Sequence, residues 1–83
     1  MPERAKLRDE LARLDLSRQE LDREIRDAQQ RQRYSTNADE IEAAKREERH
    51  KVVAMDRLMT RIRAVEGQLL VGAKAGADPS HLS

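Results

Sequence analysis

The residues best suited to chemistry are Glu47 and His50, which form a Glu-x-x-His within Glu47-Glu48-Arg49-His50. On a helix this spacing sets a carboxylate beside an imidazole. Carboxylate-bridged di-metal bundles use it on two helices, with one Glu from each of two others. Two copies of the chain would supply two such motifs, and in a hairpin Glu24 falls roughly opposite Glu47. One objection is specific. If Val52, Met55 and Met59 line the packed seam of their helix, Glu47 and His50 point away from the bundle axis and cannot share an ion. The spacing also arises easily by chance in a chain this rich in Glu. The expectation is therefore an exposed histidine among surface charges, with no resident metal and no cofactor.

A second cluster is basic. Arg26, Arg31 and Arg33 precede Tyr34, the one aromatic residue, while Lys45, Arg46, Arg49 and Lys51 follow it. Arginine forks match phosphate, and Arg and Tyr are frequent hot spots of protein interfaces. Asp39, Glu40 and Glu42 lie in the same region and would oppose a polyanion, which favours a protein partner over nucleic acid or a nucleotide. The plainer reading is a solvated hairpin end with Tyr34 covering the turn.

No catalytic set accompanies these clusters. Ser17, Ser35 and Thr36 have neither a neighbouring His nor a Gly-rich elbow. Gly67, Gly72 and Gly76 lack the spacing of a phosphate loop, and His81 has no partner nearby in the sequence. Cys is absent, which removes disulfides, thiolate metal sites and a cysteine nucleophile. The chain reads as non-enzymatic.

Composition explains what could position such residues. Of 83 residues, 40% are charged and 37% hydrophobic, with seventeen Lys/Arg against sixteen Asp/Glu and a net charge of +1. The signs are interspersed, so the chain lacks the basic stripe of an obligate nucleic-acid binder. Aromatic and β-branched residues are too scarce for a sheet. No apolar run approaches the roughly 20 residues needed to span a bilayer. Met1-Pro2-Glu3-Arg4 leads into no apolar stretch, so a cytoplasmic protein without a secretory signal is expected.

The pattern predicts an all-α, antiparallel two-helix hairpin of coiled-coil type over 1–71, with a flexible C-terminal tail over 72–83. Helix one, about 2–33, opens on Pro2 and carries Leu7, Leu11, Leu14, Leu21, Ile25 and Ala28 at heptad steps, with Arg18 in the gap. Residues 34–37 form the turn, and Asn37 with Glu40 has the spacing of a capping box. Helix two, about 38–71, is expected to pack through Ile41, Lys45, Glu48, Val52, Met55, Met59, Ile62, Glu66 and Leu69. Five acids stand four residues ahead of a base: Asp9–Arg13, Asp22–Arg26, Asp27–Arg31, Glu42–Arg46 and Glu47–Lys51. Such pairs support a water-facing helix surface.

Folding the chain at residues 34–37 sets Leu14 near Leu58, Leu11 near Met59 to Arg61, and Leu7 near Val65. The end far from the turn is thus the apolar one. Leu58 and Val65 widen the stripe of helix two, while Leu16, Val53 and Leu70 fall outside a two-helix seam. Two helices cannot cover all of these, and a chain this short gains only roughly 3–5 kcal/mol from its own core. The oligomer interface expected from this surplus comprises Leu7, Leu11, Leu14, Leu16, Leu21, Val52, Met55, Leu58, Met59, Ile62, Val65 and Leu69. A homodimer of hairpins forming a four-helix bundle, or a higher homo-oligomer, is the simplest closure.

The layout resembles that of the plasmid copy-control protein Rop, a short antiparallel hairpin that dimerises; the resemblance is of layout and implies RNA binding. Set against it is an interaction protein that binds itself and another protein as adaptor, assembly factor or inhibitor. That is the preferred expectation, with Arg26, Arg31, Arg33, Tyr34, Arg46 and Arg49 as the partner-binding residues. A small RNA- or nucleotide-binding bundle, or a phage or mobile-element protein that blocks a host component, is the alternative.

Overall fold

The computed structural model describes residues 2–77, all in two helices and the short connection between them. Helix α1 spans Pro2–Tyr34 and α2 spans Ala38–Ala77. They pack against each other as an antiparallel hairpin, with no strand among the described residues. The molecule is a slender plank of 62 × 26 × 14 Å, one layer of helices thick.

Local chemistry accounts for the elements. Pro2 suits a first helical position, and no further proline or glycine interrupts α1. Its last turn closes through the Ser35 N–H donating to the Arg31 carbonyl at 3.0 Å. The connection Ser35–Asn37 contains no residue with positive φ. Asn37 caps α2: its Oδ1 accepts from the N–H groups of Asp39 at 2.9 Å and Glu40 at 3.3 Å. The return half of the expected box is relayed. The Asn37 N–H donates to the Ser35 hydroxyl at 3.2 Å, and that hydroxyl in turn donates to the Glu40 carboxylate at 3.2 Å. Ser35 thus links the end of one helix to the start of the next.

Helix α2 continues to Ala77, six residues beyond the expected end at 71. Glycine weakens a helix by about 1 kcal/mol relative to alanine but does not forbid it, unlike proline. The first proline after Gly72 is Pro79. The rest of the expected tail, 78–83, lies outside the described residues.

On α1 the seam matches the expected steps: Leu7, Leu11, Leu14, Arg18, Leu21 and Ile25 are half-buried, and Ala28 is fully buried. On α2 alternate seam positions differ from expectation by one residue. The packed line runs Ile41, Ala44, Glu48, Lys51, Met55, Leu58, Ile62, Val65 and Leu69, with Ala44 and Val65 fully buried. Lys45 and Glu66 are exposed, and Val52 is 48% exposed. Both lines obey a heptad and share every other position. The observed one places Ala44, Leu58 and Val65 inward, and Lys51 in place of Val52, where the other would bury both Lys45 and Glu66; Lys51 stays half-buried and ion-paired to Glu24, so fewer charges lose water in the observed line.

The core is thin. Only Ala28, Ala44, Ile62 and Val65 are buried among the described residues, while the remaining leucines of the seam keep one side open to water.

Candidate functional site

Near the turn the seam is polar. The Glu48 carboxylate accepts from Gln32 Nε2 at 2.7 Å and from Gln29 Nε2 at 2.9 Å. These two donors favour the ionised form and hold Glu48 below the ordinary value of 4.5. Lys51, half-buried on the same line, reaches the Glu24 carboxylate at 2.6 Å, and this bond raises its pKa. Further along, Arg18 is held by Asp15 of its own helix at 3.0 Å.

These contacts place the two weak metal-ligand candidates, Glu47 and His50, at a site where no metal was expected. Glu47 is engaged by Arg31, whose guanidinium is raised chiefly by that bond and is shared with Asp27 at 3.2 Å. Glu24 is occupied by Lys51. His50 is exposed on the outer side of α2. Among the described residues no group of three or more His, Asp or Glu side chains could hold a metal ion.

Several expected ion pairs are replaced. Asp22–Arg26 and Asp27–Arg31 form, but Glu42 pairs with Lys45 at 3.5 Å rather than with Arg46. Glu47 and Lys51 turn away from each other to opposite-charge partners on α1. A cross-helix partner beside the seam competes successfully with one along the same helix, because it is partly screened from water by both helices.

The Arg/Tyr cluster is accordingly divided. Arg26 and Arg31 are held by carboxylates, and a shallow groove beside Tyr34 at the turn includes Asp27 and Glu40. Tyr34 is 73% exposed and leaves the turn uncovered, contrary to the plainer expectation. Arg33, Arg46 and Arg49 form no ion pair among the described residues. The last two belong to a different surface, a shallow groove along the outer side of α2 lined by Arg46, Arg49, His50, Val53, Ala54 and Arg57. Arg57 also has no carboxylate partner among the described residues. It is missing from the expected binding residues, although its spacing from Arg46, Arg49, His50 and Val53 places all five on one side of a helix.

Of the residues expected at an oligomer interface, Leu7, Leu11, Leu14, Leu21, Met55, Leu58, Ile62, Val65 and Leu69 line the seam between α1 and α2. Met59 is half-buried at its edge. Leu16 is 63% exposed, and with Val52, Val53 and Leu70 it presents apolar surface to water. No helix among the described residues is long and apolar enough to cross a membrane.

No protein-family model, curated protein or solved structure matches this chain.

Proposed function

We propose that this chain is a non-enzymatic interaction protein: a helical hairpin that associates with itself and binds a second protein as an adaptor, assembly factor or inhibitor. The observation that carries this reading is the half-open seam. Domains are built from at least two packed layers around a core, and this hairpin is a single layer whose leucines each keep an uncovered side. A second hairpin supplies the missing layer.

The surface offered to another protein is the outer side of α2, where Arg46, Arg49 and Arg57, without carboxylate partners among the described residues, stand around Val53 and Ala54. Small apolar residues between unpaired arginines let a partner's backbone approach closely while its carboxylates meet the guanidinium forks. An acidic protein surface fits. The same unpaired arginines favour a second reading, an RNA- or nucleotide-binding bundle, since phosphate satisfies the forks equally well.

Size-exclusion chromatography with light scattering, recording the full ultraviolet spectrum, tests both. The chain has no Trp and one Tyr, so bound nucleotide or nucleic acid would dominate its absorbance. A multiple of the chain mass with only the weak tyrosine band supports the interaction protein. A strong nucleobase band would put the second reading first, and a compact monomer would sink self-association.

A further inference from the structure

The bases of α2 divide by the side they face. Lys51 and Arg61 reach across to Glu24 and Glu10 on α1, and Lys45 holds Glu42 of its own helix. Arg46, Arg49 and Arg57, exposed on the outer side, hold no carboxylate among the described residues. Their neighbours explain why. A helical base finds its partner three or four residues away. Arg49 has Lys45, Arg46, Val52 and Val53 at those steps, and Arg57 has Val53, Ala54, Thr60 and Arg61. Neither has an acid. Arg46 has Glu42, which Lys45 already holds. Helix α1 packs on the opposite side of α2, so its carboxylates are out of reach. The hairpin therefore leaves three guanidinium groups, on one side of a groove-bearing helix, that its own acids do not satisfy.

We infer that the outer side of α2 receives an acidic helix of a partner protein, with carboxylates on Arg46, Arg49 and Arg57 and a small apolar residue against Val53 and Ala54. The inference rests on the protein-binding role proposed above and names the chemistry of the partner.

Three observations favour this occupant. The receiving surface is a helix, whose backbone groups are already bonded to one another. It offers no edge to an extended peptide, so the partner must satisfy its own backbone, as a helix does. From Arg46 to Arg57 is about 16 Å along the axis, three turns, and Val53 and Ala54 between them let two helices approach closely. Against a nucleic acid stand the apolar residues: Val53 is 52% exposed, and Val71, in line with it, is 65% exposed. Phosphates leave both in water. Helix α2 also has no aromatic side chain on which a base could stack, and exposed Asp56 lies among the arginines.

Two probes test this on the full-length chain. One is a capped helical peptide of about eighteen residues, long enough to cover the arginines, with glutamates at three- and four-residue steps along one side and alanine or leucine between them. The other is a single-stranded oligouridylate of similar charge. Nuclear magnetic resonance follows the arginine side-chain N–H signals. The peptide should shift those of Arg46, Arg49 and Arg57, and its all-glutamine version should not. No shift at about 1 mM peptide, or shifts centred on α1, would overturn the assignment. Tighter binding of the oligouridylate through the same arginines would overturn it in favour of nucleic acid.

Arg49→Glu with Arg57→Glu should weaken peptide binding by about tenfold or more. Arg13→Glu with Arg23→Glu, the same charge reversal at exposed positions of α1, should leave it within about twofold. Equal losses would overturn the assignment, since net charge would then set the affinity. Light scattering on the same samples keeps the two claims apart. An oligomer that ignores the peptide overturns the acidic helix alone, and a monomer that binds it overturns self-association alone.

Discussion

Arg61 donates from Nε at 2.8 Å to one carboxylate oxygen of Glu10, with its Nη2 2.6 Å from the same atom, across fifty-one residues of sequence. The contact lies far from the turn and is compatible with the observed seam, in which Val65 turns inward and Glu66 does not.

The first prediction separates the two possible seams of α2. Val65 is fully buried while Glu66 is exposed. Val65→Asp should cost about 3–5 kcal/mol, the penalty of an uncompensated buried charge, and leave the chain largely unfolded. Glu66→Gln should change stability by less than about 0.5 kcal/mol. Urea denaturation followed by circular dichroism measures both, and equal effects would contradict the observed seam.

The second concerns the turn. Asn37 Oδ1 satisfies two N–H groups at the start of α2, so Asn37→Ala should lose about 1 kcal/mol. Ser35→Ala should also destabilise, because it removes the hydroxyl linking the Asn37 N–H to Glu40. If Ser35→Ala proves neutral in the same denaturation experiment, the relay has no energetic weight.

Much of the hairpin was legible in the residues themselves. The heptad of α1 is unambiguous because leucines fill nearly every step, and Asn37 with its trailing acids marks the start of α2. The seam of α2 was misread for a physical reason. Apolar Val52 and Met59 favour one stripe and Ala44, Leu58 and Val65 the other, one residue away; Lys45 and Glu66 on the first outweigh the single Lys51 on the second. The ion pairs were legible only within a helix: folding the chain at the turn sets Glu24 opposite Glu47, but spacing does not show that Glu24 takes Lys51 and Glu47 takes Arg31. Arg57 lies far from the turn in sequence and joins Arg46, Arg49 and Val53 only through the helical period.

A third prediction is a pH dependence. Glu48 is held below 4.5 by its bonds from Gln32 and Gln29, so its contribution to stability is present above that value. It is lost as pH falls through the depressed folded-state value. Nuclear magnetic resonance titration of the Glu48 carboxyl should give a midpoint below 4.5 in the native protein, and Gln32→Ala should raise it. A wild-type midpoint at or above 4.5 would show that the two amides do not hold the carboxylate. Lys51, raised by Glu24, has the opposite sign: its contribution is present below 10.5 and is lost as pH rises through its elevated value.

A fourth uses Gly67, which is helical and has nothing within 4 Å of the place a β-carbon would occupy. Gly67→Ala should stabilise by about 1 kcal/mol. For a domain of this size that raises Tm by roughly 4–8 °C. No rise, or a fall, in a thermal melt would mean that another chain packs closely at this position.

The central claim is that the hairpin completes its core by pairing with another copy. Thermal unfolding followed by far-ultraviolet circular dichroism, over about a hundredfold range of protein concentration, tests it most directly. Folding coupled to association makes Tm rise with concentration. The account predicts that rise, together with an oligomeric mass in the folded baseline. A Tm independent of concentration, with a monomeric mass throughout, would contradict it.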